Sequence, residues 1–119
     1  MIDAALDGAE IVVNPSASYV ERGKLERKMQ MFKEATQRHG GCYLYVNAKG
    51  AIGERSYFDG GSICTENGVV KHLAPLNNLD EVTVVPVIAN LTNIRTFRLS
   101  NKSFLKSTRG VEIIPRVKI

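Results

Sequence analysis

The sequence predicts a mixed α/β (α+β) domain of about five strands and one long helix, and three observations carry that expectation. A β-branched run at 9–14 is followed by a long amphipathic pattern at 22–38 and a second apolar run at 42–46. This strand–helix–strand succession has a crossover long enough to pair its two strands in parallel. Further on, Asn67-Gly68 sits between two β-rich runs, the strongest short signal for an antiparallel hairpin. Parallel and antiparallel pairs in one chain make a mixed sheet.

Taken in order, residues 1–10 read as the lead-in to a strand over 9–14, which ends at Pro15 and opens into a small polar loop. Ser18 stands three residues before Glu21, the spacing of a capping box, so a helix is expected from about Arg22 to Arg38. Leu25, Met29, Phe32 and Thr36, with Ala35 beside them, form its apolar stripe, and His39-Gly40-Gly41 supply the stop. Residues 42–46 are apolar without alternation, as expected of a strand buried on both faces. Residues 47–56 hold Gly50 and Gly53 and read as a loop. The hairpin is expected to join 57–65 to 69–73. Another strand is expected over 82–89, with Pro86 marking an edge or a bulge. Residues 90–99 fit a short helix, and the remainder, a basic tail from about 100, has little pattern. One helix cannot cover both faces of such a sheet, so the chain is expected to be part of a larger fold or to complete itself by association.

With 119 residues there is room for one small domain. Hydrophobic residues at 44% and charged residues at 24% are an ordinary globular balance, which argues against disorder. No apolar run approaches the ~20 residues of a membrane-spanning helix. No basic region followed by an apolar stretch marks a secretory signal. Two cysteines, Cys42 and Cys64, are too few for a disulfide framework and fit reduced, buried thiols in a cytoplasmic protein. The net charge of +4 is uneven: residues from Arg95 onward carry +6 and the preceding part −2. No RNA-binding signature accompanies those basic residues, so neither nucleic acid nor membrane is expected as a partner.

Candidates for chemistry are few. His39 and His72 lack metal-ligand spacing, and no phosphate-binding loop, dinucleotide fingerprint or nucleophile elbow is present. Cys42 and Cys64 have no acid or histidine beside them to activate a thiolate. The loop Asn14-Pro15-Ser16-Ala17-Ser18 is of more interest. Ligands in α/β sheets sit at the carboxyl ends of strands, beside helix N-termini. A hydroxyl at Ser18 and a cation at Lys24 could together hold a carboxylate there. On pattern alone, a capped helix with Lys24 in solvent competes with that reading.

The segments "GAEIVVNPSAS", "CYLYVNAKG", "GERSYFDGGS", "ENG" and "LDEVTVVPV" occur here in that order. Together they resemble the C-terminal part of the nitrilase-like (carbon-nitrogen hydrolase) glutaminase domain of glutamine-dependent NAD synthetases. "LTNIRTFR" and the closing "PRVK" are similar to the eukaryotic branch. The resemblance spans essentially residues 1–119. It implies a partial nitrilase-type α-β-β-α sandwich, a fold that associates through its helices, with glutamine as the small-molecule substrate of the full family. In that family a glutamine amidase feeds ammonia to a synthetase domain that converts deamido-NAD to NAD, and ATP and magnesium serve there. No cofactor is implied in this chain.

By motif position, Ser18 and Lys24 correspond to residues that hold glutamine. The family's Glu base, Lys and Cys nucleophile lie upstream of the "GAEI" strand, so the resemblance assigns no catalytic residue here. Cys42 and Cys64 do not stand in the nucleophile's context. Ile52 stands where the family commonly carries an acidic residue. The chain alone is therefore expected to be inactive. The alternatives are a non-catalytic association module, pairing with itself or with a full-length amidase, and an amidase of another nitrilase branch.

Overall fold

The computed structural model describes residues 1–111 and 113–115. Its elements run α1 (Ile2–Leu6), β1 (Ile11–Ser16), α2 (Lys24–His39), β2 (Cys42–Asn47), β3 (Lys49–Ile52), β4 (Ser56–Asp59), β5 (Ser62–Glu66), β6 (Val69–Leu73), α3 (Leu91–Ser100) and α4 (Lys102–Ser107), with a 3-10 turn at Thr108–Gly110. Beyond Pro115 the "PRVK" motif lies outside the described residues.

The main sheet has the order β1-β2-β5-β6, and β3-β4 form a separate two-stranded ribbon. β1 pairs with β2 in parallel across the α2 crossover, while β2–β5 and β5–β6 are antiparallel. The sheet is thus mixed, as the sequence predicts. Asn67 (φ 49°) and Gly68 (φ 88°) both take left-handed conformations between β5 and β6, the geometry of the tight hairpin turn that favours Asn-Gly. A Cβ at Gly68 would also stand 2.9 Å from Gln37 Cβ of α2, so helix and turn approach too closely for a larger residue. Thr36 reinforces that approach: its buried hydroxyl accepts from the Gly68 N–H at 3.0 Å.

Each face of the sheet has its own core. On one, Phe32 of α2 packs on Tyr43, Tyr45 and Ile63, with ring centroids 4.6 and 5.2 Å from the two tyrosines. Facing the other way, Cys42 and Cys64 pack with Ile94 of α3 and with Leu44, Val87, Ala89 and Leu91. Continuous apolarity in β2 therefore reflects burial on both sides.

Arg98 fastens α3 to the rest. Its buried guanidinium donates to the Gly40 carbonyl at 2.9 and 3.3 Å, to Ala9 O, and to Gly8 O at 3.4 Å. These carbonyls come from the end of α2 and the approach to β1, where the Cys42 N–H also donates to the Glu10 carbonyl at 2.8 Å. Asn90 caps α3 by accepting from the Asn93 N–H at 3.0 Å, and its own N–H donates to Glu66 Oε2 at 2.9 Å.

The second face is only partly covered. Ile11, Val13 and Val46 lie on it by register with Cys42 and Leu44, and are 43%, 63% and 48% exposed. The expected strand at 82–89 runs across this side without forming one. Val85, Val87 and Ala89 are partly buried, whereas Val84, Pro86 and Ile88 are exposed. That alternation is the pattern of a strand, but no neighbouring strand among the described residues pairs with it.

Four other expectations change. Residues 2–6 form a short helix instead of extended lead-in. The expected loop at 47–56 is largely the β3–β4 hairpin, in which Ile52 pairs with Ser56. The expected strand over 57–65 is two strands, broken at Gly60 (φ 71°) and Gly61 (φ 77°), so the ribbon and main sheet bring the strand total to six. The tail from about 100 begins with α4, capped by Asn101, which accepts from the Phe104 N–H at 3.0 Å.

Candidate functional site

The loop joining β1 to α2 is held from below by β2. Asn47, buried at the end of that strand, accepts from the Ser18 N–H through Oδ1 at 2.8 Å and donates through Nδ2 to the Ser18 carbonyl at 3.0 Å. The same Nδ2 donates to Asp59 Oδ1 at 3.1 Å, which links the loop to β4. Tyr19 stacks on Phe58 with centroids 5.2 Å apart, and the Val20 N–H donates to the Tyr57 carbonyl at 3.0 Å. The β3–β4 ribbon is therefore a brace for this loop. Asn47 was not singled out by sequence reasoning. Its one local signal was a polar residue closing an otherwise apolar strand.

The capping box does not form. Gly23 occupies the N-cap of α2 with φ 72°, and no side chain caps the helix. Ser18 lies too far back along the loop. Its backbone groups are taken by Asn47, and among the described residues no group hydrogen-bonds its hydroxyl. Glu21 instead pairs with Arg27 and, at 3.4 Å, with the Lys24 ammonium. Hydrogen bonds from Arg27 first, then Lys24, hold the Glu21 carboxyl below the usual carboxylate range.

Lys24 is half-buried at the first position of α2, beside a groove lined also by Glu21, Arg27, Lys28 and Met31. Three cations against one carboxylate make this groove suited to an anionic group. The Lys28 ammonium is engaged already, donating to the Tyr45 hydroxyl at 2.7 Å. Ser18 is not part of the groove's lining. The two predicted residues thus flank the same strand-end loop without sharing one pocket.

Neither thiol is suited to attack an amide. Cys42 and Cys64 are 1% and 4% exposed, with sulfurs 3.7 Å apart. Burial above all pushes the Cys42 thiol up to about 12, and burial raises that of Cys64 as well. A nucleophilic cysteine needs the opposite, a thiolate favoured near neutrality. Ile52, at the tip of β3, is 67% exposed. Among the described residues no group of three or more His, Cys, Asp or Glu side chains is disposed to hold a metal ion.

Comparison with known proteins adds the decisive observation. Over 97 residues, 82% of this chain, it is 38% identical to the glutamine-dependent NAD(+) synthetase of Saccharomyces cerevisiae. Over 118 residues, 99% of the chain, it is 33% identical to that of Homo sapiens and 34% identical to that of Bos taurus. The chain is related to glutamine-dependent NAD synthetases. It spans 14% to 17% of the length of these relatives. No family model matches the chain. Among the described residues no helix is long and apolar enough to cross a membrane.

Proposed function

We propose that these residues supply one sheet-and-helix layer of a nitrilase-like glutamine amidase domain that serves NAD synthesis. The observation that carries this reading is the half-covered sheet. α2 closes one face, while Ile11, Val13 and Val46 leave an apolar surface on the other, where an α-β-β-α sandwich places its second sheet. Residues 84–89, with alternating burial and no strand partner among the described residues, are suited to join that sheet. Relatedness along nearly the whole chain to enzymes named for glutamine and NAD supports the same assignment.

In this reading the braced loop and the start of α2 form a wall of the glutamine site. The Ser18 hydroxyl donates to, and Lys24 pairs with, the substrate's carboxylate. Substrate then competes with Glu21 for the Lys24 ammonium, which keeps the cation in place when the site is empty. Amide hydrolysis needs a thiolate, a proton carrier and oxyanion donors together. Cys42 and Cys64 cannot be the thiolate, so the nucleophile comes from residues beyond these 119. The work is cytoplasmic, and ATP, magnesium and deamido-NAD belong to a separate synthetase domain.

The purified 119-residue chain is expected to release no ammonia from glutamine beyond a heat-treated control. In a glutamine titration followed by NMR, the Ser18 and Lys24 amides should shift, and Lys24→Ala should remove the shifts. Ammonia release by the chain, or shifts unchanged in the variant, would contradict the proposal.

A second reading rests on the same exposed face: an association module whose sheet packs on a second copy or on an intact amidase domain. Light scattering distinguishes it. A concentration-dependent dimer that Val13→Lys abolishes favours association of copies, and a monomer at all concentrations rules that out.

A further inference from the structure

Cys42 and Cys64 take no part in the proposed function, yet they form a defined pair. Both project from the sheet face opposite α2. Register sets Cys42 opposite Glu66 and Leu44 opposite Cys64, so the two cysteines are diagonal neighbours across β2 and β5. Diagonal positions in an antiparallel pair have Cα atoms about 7–8 Å apart. A disulfide prefers Cα atoms within about 7 Å and closes its sulfurs to about 2.05 Å. Joining these sulfurs directly would therefore require the strands to shift.

A single atom placed between them makes a smaller demand. Two bonds of about 2.3 Å to one shared pyramidal atom, at an angle of about 100°, hold sulfurs about 3.5 Å apart, within a few tenths of an ångström of a pair in contact. The observed separation is 3.7 Å. Sulfur ligands select soft acceptors. Among the described residues no third or fourth ligand is disposed to complete a metal centre, so the acceptor must be satisfied by two sulfurs.

A cleft of about 250 Å³ opens beside Cys64, between the sheet and residues 83–87. Leu44, Val46, Ile63, Val84 and Val87 give it largely apolar walls. Such walls suit an organic substituent and disfavour a hydrated ion. The backbone of 82–89 has no sheet partner among the described residues, so this cover opens at less cost than the sheet beneath it.

We propose that Cys42 and Cys64 form a dithiol site for a monosubstituted trivalent arsenical, with arsenic bridging the two sulfurs and its organic group in the cleft. Two As–S bonds form and the As=O bond breaks. The two thiol protons leave on that oxygen as water, and nothing is oxidised or reduced. The site is separate from the strand-end loop, so it stands or falls independently of the glutamine reading.

The test is intact-mass spectrometry of the folded chain treated with phenylarsine oxide. One phenylarsenic group per chain is expected, retained in excess 2-mercaptoethanol and released by 2,3-dimercaptopropanol. Because these are the only two cysteines, Cys42→Ala and Cys64→Ala should each lose retention against the monothiol. The thermal midpoint of the wild-type chain should rise on modification, since a bridge of near-native length between residues 22 apart restricts the unfolded chain. That measurement decides the matter even if a variant fails to fold. No adduct on the folded chain, an adduct stripped by the monothiol, or a lowered midpoint would overturn the proposal.

Discussion

Phe32→Ala is expected to lower folding stability by about 4 kcal/mol, because truncating a buried phenylalanine combines lost transfer energy with a cavity its neighbours fill poorly. Phe32 is 3% exposed and is the buried aromatic of α2 in the core against the sheet, with Leu25 and Met29 packed beside it. Its ring contacts Tyr43 and Tyr45, whose hydroxyls are fixed by Asn14 and Lys28 at 2.7 Å each. Those bonds restrain the tyrosines from moving into the void. Urea denaturation measures the loss. A shift in midpoint equivalent to less than about 1 kcal/mol would show that α2 is held by something other than this contact.

Arg98→Ala is expected to cost about 3 kcal/mol, since hydrogen bonds to a charged group are each worth more than neutral ones and their loss leaves the buried Gly40 carbonyl without this donor. The acceptors at Gly8, Ala9 and Gly40 have no substitute donor on α3. Lysine should not restore stability: it offers a point charge where a planar guanidinium spans three carbonyls. Burial holds the Arg98 pKa below its ordinary value, and the nearby Glu10 carboxylate opposes this. The cation is thus retained for its geometry at some electrostatic cost. If Arg98→Lys proves as stable as wild type in the same urea titration, the fork geometry is not what matters.

Much of the fold was legible because its strongest signals are local. The β-branched run leading to Asn14, the stripe through Phe32 and the Asn67-Gly68 turn each act within a few residues. Each produced the element expected, although the first strand runs through Pro15, which pairs with Val46, to Ser16 instead of stopping before it. What was missed depends on contacts remote in sequence. Arg98 read as one more charge in a basic C-terminal stretch, yet it is buried because carbonyls 58 to 90 residues away converge on it. Residues 82–89 have the composition of a strand and lack only a partner, so local propensity alone could not decide them. The short α1 is too brief to show a helical period.

The site divides in the same way. Ser18 and Lys24 were found from their place after a strand and before a helix. The capping box attributed to Ser18 failed because α2 starts at Lys24 with Gly23 as its N-cap, too far along the chain for Ser18 to reach. Asn47 escaped notice because its partners stand 29 and 12 residues away. Its role here is to hold the loop that carries Ser18.

The most direct test exchanges this chain for the matching 97 residues of the Saccharomyces cerevisiae glutamine-dependent NAD(+) synthetase. NAD formation by the chimera is then measured with glutamine and, as a control for folding, with free ammonia. The account predicts activity with both nitrogen sources, and a raised KM for glutamine alone when Lys24 becomes alanine. A chimera that uses ammonia but not glutamine, or a Lys24→Ala form with unchanged KM, would contradict it.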